Sequence, residues 1–430
     1  MNSYLNKFND SIKNTIFFKL PTKEQNFIKE KSLLLKFSFQ EIKQIIDIAR
    51  DLKTWNEGNL IDIFPQHAQK KVVFSRLKKT YDEIRKKPNS YKNFELRNIP
   101  QEQKYTFKTE AKESFGIGLC PVASEKTRCC NLLTLDAVES CGFDCSYCSI
   151  QSFYNQNTIT FDSNFADKLK NLNLDKNKTY HIGTGQASDS LMWGNREGIL
   201  DSLFLFAKEN PNVILEFKTK SDNIKYFLQN DVPNNILCTW SLNTPTIIQN
   251  EEHLTTSLDK RLDAARKLAD KGVKVGFHFH PIVQYENYLD EYAKVYDRLT
   301  HMFKPQEVAL VSFGTLTFIK PVIKQLRSRE FKSKITQMPF ENASGKSSYP
   351  DAIKVEMFKH AYESFHSWHP KGTSFGAHSK STNNNVFFYL CMEEHEMWDK
   401  TFGYQYSTNN DFERAMLSSY AKKLNMEFLI

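Results

Sequence analysis

Six short runs rich in β-branched and aromatic residues recur through the middle of the chain. They are Leu132–Val138, Thr179–Gly185, Val213–Thr219, Ile236–Asn243, Lys274–Val283 and Glu307–Leu316, with segments of helical spacing between them. One such segment, SLDKRLDAARKLADKG, closes on Gly272 as a helix end should. Strands that alternate with helices join in parallel through crossovers, which predicts an α/β fold. Six units fit an incomplete (β/α)6 barrel better than the complete eight-unit form. Reactive groups in such barrels gather at the carboxyl ends of the strands.

The flanks read differently. Residues 1–110 show helical spacing, as in FSFQEIKQIIDIARDLKTW and SRLKKTYDEIRKK, with a strand-like KKVVF (Lys70–Phe74) between. The expected organisation is a basic, mainly helical region at 1–110, the partial barrel at 120–320 and a C-terminal extension at 321–430. In the extension IKPVIKQLRSR is helical, 331–385 is loop-rich, VFFYLCME is apolar and buried, and 411–425 is helical again.

Charge is uneven. The net charge is +8. Residues 1–110 hold 22 Lys and Arg against 13 Asp and Glu, so the excess lies there. A basic region faces either a polyanion such as nucleic acid or only solvent. No run of 18 apolar residues exists and the first 20 residues lack an apolar leader, so a cytoplasmic location and no membrane partner are expected.

Eight cysteines are present, and six of them, Cys120 to Cys148, fall within 29 residues. Clustered thiols in a reducing compartment point to metal or redox chemistry. Cys141, Cys145 and Cys148 form C-x3-C-x2-C with Tyr147 before the last cysteine, just past the first strand. Three thiolates in a short loop hold three irons of a [4Fe–4S] cluster and leave the fourth open. This pattern is that of radical S-adenosylmethionine (SAM) proteins, in which reductive cleavage of SAM yields a 5′-deoxyadenosyl radical that abstracts hydrogen from a substrate. The alternative is a structural zinc loop completed by Cys120, Cys129 or Cys130, within a non-catalytic nucleic-acid-binding protein.

Around that triplet the sequence resembles the spore photoproduct lyase family of radical SAM proteins. The resemblance runs from about Arg128 to Trp398 and rests on ordered blocks: CCNLLTLDAVESCGFDCSYCSIQSFY, GTGQASDSL, LEFKTKSDNI, SLNTPTII, LDAARKLADKGVKVGFHFHPIV and YLCMEEHEMW. It implies an incomplete radical SAM barrel, a [4Fe–4S] cluster, SAM, a reductant such as flavodoxin or ferredoxin, and a substrate akin to damaged DNA. One position departs. Where the lyase carries a hydrogen-donating cysteine before Thr-Ser-Asp, this chain has Gln186 before Ala187-Ser188-Asp189, and an amide returns no hydrogen atom. Cys129, Cys130 and Cys120 are the substitute donors considered.

Further residues follow from strand ends and the resemblance. Ser188 and Asp189 are candidates to contact SAM, or else cap a helix. Gly183 and Gly185 allow close backbone approach to a cofactor, or make a plain turn. Lys220 would pair with the SAM carboxylate, or lie exposed. Asn243 and Thr244 would bond SAM, or end a strand. Tyr147 and Tyr154 would line the cofactor pocket. His278 and His280 alternate on the fifth strand and share one face, where they would position substrate or shuttle protons. Cys238 and Cys391 are read as packing residues.

Overall fold

Four long helices, with the single turn Leu60–Ile63 between the last two, build the described N-terminal part of the chain: α1 (Asn2–Ile12), α2 (Thr22–Leu35), α3 (Phe39–Trp55) and α4 (Lys70–Lys86). Helix α3 starts on a capping box, in which Ser38 Oγ accepts from Glu41 N and the Glu41 carboxylate accepts from Ser38 N at 2.6 Å. Its Ile42, Ile45, Ile46, Ala49 and Leu52 are buried at helical spacing. The Lys70–Phe74 stretch is not a strand: it opens α4. Val73, Leu77, Tyr81 and Ile84 are buried along one helical stripe, and that periodicity over seventeen residues outweighs the local preference of two adjacent valines. Trp55 stacks on Tyr81 with centroids 5.5 Å apart.

The computed structural model describes residues 2–67, 69–92, 94, 105–113, 117–119, 127–149, 157–329, 332–343, 345–369 and 386–429. The chain divides into two compact units. The first comprises residues 1–100, 284–286 and 317–350, and the second residues 101–283, 287–316 and 351–430. Residues 321–430, expected as one extension, thus divide between the units at Pro350. Within the first unit Arg327, on the helix Lys320–Ser328, holds Asp47 at 3.1 Å and Asp51 at 2.6 Å on α3.

The second unit is a curled sheet of seven parallel strands: β1 (Leu133–Leu135), β2 (Tyr180–Thr184), β3 (Val213–Thr219), β4 (Ile236–Ser241), β5 (Lys274–Ile282), β6 (Val308–Thr315) and β7 (Phe387–Leu390). They lie side by side in chain order, and Ile117–Leu119 pairs antiparallel with β1 at one edge. Six of these strands match the sequence expectation. The seventh is the apolar FFYL run, which pairs with β6. The incomplete barrel is therefore longer by one strand than the six-unit reading.

Helices cover the outer face. Phe217 of β3 packs on Phe204 of α5 (Ile199–Glu209). Helix α6 (Leu258–Asp270) starts on Ser257 and ends before Gly272, whose φ of +93° suits glycine alone. Phe279 of β5 packs on Tyr296 of α7 (Tyr288–Met302). Each such ring is fully buried and contributes about 1.5–3 kcal/mol by leaving water. Because strand side chains alternate, Glu216 and Lys218 beside Phe217, and His278 and His280 beside Phe279, point inward, and Thr239 and Ser312 join them by bonding Glu216 and His278. Helix α8 (Asn409–Leu424) packs against the inner face at one end, where Tyr420 meets the rings of His181 and Phe387.

Candidate active site

The three cysteines of the motif sit in the loop that follows β1. Asp144–Cys145 pairs antiparallel with Glu252–His253, and Ser146 N donates to Glu251 O at 2.7 Å. Cys148 N donates back to Cys145 O at 3.1 Å, turning the chain so that the last thiol follows closely on the second. Gly142 lies under Met192 and Trp193. A Cβ there would meet Met192 Cε at 2.3 Å and the Trp193 ring at 2.9 Å, so a larger residue would have to push both side chains aside. Tyr105 donates its hydroxyl to the Gly142 carbonyl.

Around Cys145 the partners come from β3 and from the segment beyond β4. Lys220 Nζ stands 3.8 Å from Cys145 Sγ, 2.9 Å from the Tyr147 hydroxyl and 3.7 Å from Glu252 Oε1. Glu252 also holds Arg261 of α6 at 2.6 Å and accepts from Tyr147. Burial opposes its charge, yet Arg261 and Lys220 keep the carboxyl down at about 2. Burial pushes the Cys145 thiol up to about 12 against the pull of Lys220. Burial, Asp189 and the other two thiols push Cys141 well above its ordinary range. Three thiols therefore share one loop and feel one another, and as thiolates they require added positive charge. That donor set fits a [4Fe–4S] cluster, in which each thiolate holds a separate iron. Among the described residues no three Cys, His, Asp or Glu side chains are placed to hold a single ion.

The turn after β2 is braced from both sides. Asp136, just past β1, accepts from Ala187 N at 2.8 Å. Asp189 accepts from Leu191 N, Met192 N, Thr219 Oγ1 and Lys220 N at 2.7–3.0 Å, and Ser188 Oγ accepts from Trp193 Nε1 at 3.0 Å. Those bonds occupy Asp189 in tying the turn to β3. Gly185 has φ +83°, and Gly183 faces the Leu132 side chain. Asn243 is buried and donates to Pro281 O at 3.0 Å, and Tyr292 donates to it. Thr244 caps the helix Pro245–Glu251. Cys129 N donates to Asn409 Oδ1 at 3.1 Å. Cys130 is half-buried and lies within electrostatic reach of Tyr389 and Tyr420. Cys120 and Tyr154 fall outside the described residues.

His278 and His280 belong to a polar layer that sequence reasoning found only in part. Glu216 of β3 accepts from His181 Nε2 at 2.8 Å, from His278 Nε2 at 2.7 Å and from Thr239 Oγ1 at 2.6 Å. Ser312 Oγ lies 2.6 Å from His278 Nδ1 and 3.0 Å from His280 Nε2. Glu216, His181, Glu252 and Arg261 were missed. The available signal was a glutamate at an alternate position inside the otherwise apolar run VILEF.

A family model described as spore photoproduct lyase matches residues 63–350, more than half of the chain. The chain belongs to the spore photoproduct lyase family. The spore photoproduct lyase of Clostridium acetobutylicum is 27% identical over 179 residues, which cover 40% of this chain and 53% of that protein. The alignment thus spans about half the length of that relative. The lyase of a Geobacillus species is 22% identical over 249 residues, covering 56% of this chain and 73% of its own. Among solved structures, a spore photoproduct lyase mutant with bound AdoMet and dinucleoside spore photoproduct superposes with a TM-score of 0.52 at 20% identity, over 64% of this chain and 86% of that one. At that identity the likeness carries the barrel fold. No helix among the described residues is long and apolar enough to cross a membrane.

Proposed function

We propose that this chain is a radical SAM enzyme that acts on a pyrimidine lesion in DNA. The observation that carries the reading is the cluster loop: Cys141, Cys145 and Cys148 together at the carboxyl end of the first parallel strand, with the Lys220 ammonium 3.8 Å from Cys145 Sγ. Those three residues would hold a [4Fe–4S] cluster, which when reduced supplies the electron that cleaves SAM to a 5′-deoxyadenosyl radical. Lys220, buttressed by the Glu252–Arg261 pair, sets a fixed positive charge beside the loop, suited to the carboxylate of a bound amino acid. Gly183, Gly185, Ser188, Asn243 and Thr244 would contribute the strand-end rim that receives SAM, and Asp189 ties the turn after β2 to Thr219 and Lys220. The lesion class is supported by family membership and by the dinucleoside bound to the structural relative. Gln186 supplies no hydrogen atom, so Cys129 and Cys130 are the thiols assigned to that task. The basic 1–110 segment would meet the DNA backbone, and a flavodoxin or ferredoxin would deliver electrons.

The test is anaerobic. Reconstituted protein, dithionite, SAM and oligonucleotide bearing spore photoproduct are expected to give 5′-deoxyadenosine and repaired thymines, both lost in Cys145→Ala. A metal analysis that returns zinc without iron or sulfide would overturn the reading in favour of a binding protein.

A further inference from the structure

The polar layer inside the barrel imposes a direction on its protons. Glu216 accepts three hydrogen bonds, and the two histidine bonds hold its carboxyl well below the usual carboxylate range against full burial. A carboxylate only accepts, so His278 Nε2 carries a proton. Burial, aided by the charge of Lys218, lowers His278 to about 4 and keeps it neutral, so its Nδ1 is an acceptor. Ser312 must then spend its one proton on His278 Nδ1, and its oxygen is left to accept from His280 Nε2. Burial and Lys218 keep His280 neutral too. Its Nδ1 is therefore a lone pair. His181 fits the same scheme. It donates to Glu216 through Nε2, and its Nδ1 is buried without a partner among the described residues.

His280 stands one inward position beyond the buried His278 on β5, and is itself partly exposed. Gly314 of β6 lies against its ring with no side chain, since a Cβ there would come within 3.1 Å of His280 Cδ2. Across the inner face, Lys218 is the inward position between Glu216, in the buried layer, and Lys220, at the cluster loop. Its charge acts on both histidines. A neutral acceptor on β5 and an ammonium donor on β3, with β4 between them, thus face the same stretch of the inner face between the buried layer and the cluster loop.

We propose that His280 and Lys218 form a recognition subsite for the imide edge of a thymine-type base, with the base N3–H donating to His280 Nδ1 and a flanking carbonyl oxygen accepting from Lys218 Nζ. Glu216, His278 and Ser312 are positioning residues that fix the His280 tautomer. The subsite rests on the lesion reading given above and adds to it which edge of the base is read, and by which atoms. A buried donor–acceptor match of this kind discriminates strongly, because the wrong base leaves a polar group unpaired.

The experiment is a binding titration of anaerobically reconstituted full-length protein with dinucleoside spore photoproduct and with two analogues, each methylated at N3 of one base ring so that the imide N–H is lost and both flanking carbonyls are kept. Wild-type protein is expected to lose about tenfold in affinity for one analogue, the equivalent of one hydrogen bond. His280→Gln keeps an N–H at the position that meets Ser312 and removes the Nδ1 acceptor. It is expected to lose about tenfold on the natural dinucleoside and to be indifferent to the same substitution. Nitrogen-15 histidine spectra should show His280 as the Nε2–H tautomer in wild type and as a mixture in Ser312→Ala. Wild-type binding that ignores both analogues, or His280→Gln that remains as sensitive as wild type, overturns the subsite alone. Wild-type protein that does not bind the dinucleoside at all overturns the lesion reading and the subsite with it.

Discussion

A methyl group at position 185 would meet Ser190 Oγ at 2.4 Å and the Lys218 and Ser188 carbonyl oxygens at 3.0 Å, on a backbone with φ +83°. Two of those atoms are main chain and cannot move aside cheaply. Gly185→Ala is therefore expected to destabilise the protein by about 1–3 kcal/mol, read as a lowered denaturation midpoint, and an unchanged midpoint would show that the turn relaxes. The same scale separates what sequence could and could not reveal. The cysteine triplet was legible because its ligands are consecutive in one loop. Glu252 and Arg261 were not, since their meaning arises only when the segment beyond β4 and helix α6 bring them within 2.6 Å of each other beside Lys220. Asp189 was read as a cofactor contact or a cap, and the structure gives it four donors from its own turn and from β3.

At the scale of elements, strands with β-branched cores announced themselves, and Val213–Thr219 begins and ends where the sequence placed it. The four-residue β7 did not, because so short an apolar run carries no period of its own and is defined by pairing with β6. Helix α8 carries a more specific consequence. Lys423 is buried on it and donates to Pro305 O at 2.7 Å, and burial, with some help from Lys274, lowers its pKa from 10.5 to about 7. Between those two values the unfolded chain binds a proton that the folded chain does not, so this residue makes stability rise with pH across that window. Below it both states carry the charge and the fold bears the full burial penalty. Lys423→Met is expected to raise stability by roughly 1–3 kcal/mol near pH 6, with the advantage fading towards pH 10. Paired thermal melts across that range check it, and a pH-independent difference would show that the ammonium is hydrated in the fold.

For the whole molecule, charge and chemistry are assigned to different stretches of chain. The positive excess lies in residues 1–110, and the side chains of Lys71, Arg76, Lys78, Lys79 and Lys86 on α4, and of Lys87 just past its end, are exposed. Phosphate contacts made by such side chains would carry no sequence information, whereas the proposed subsite inside the barrel would read a base. Affinity and discrimination should therefore separate. Replacing Lys71, Arg76, Lys78 and Lys87 by Gln is expected to weaken binding to damaged and undamaged duplexes by the same factor, and to lower the slope of log K against log salt by up to about 0.9 per contact removed. The ratio between the two duplexes should not move. Exposed substitutions of this type change stability by about 0.5 kcal/mol or less each, so a loss of binding would report the contacts rather than the fold. An unaltered slope would mean that these lysines and arginines only face solvent, and that the barrel holds the DNA without them.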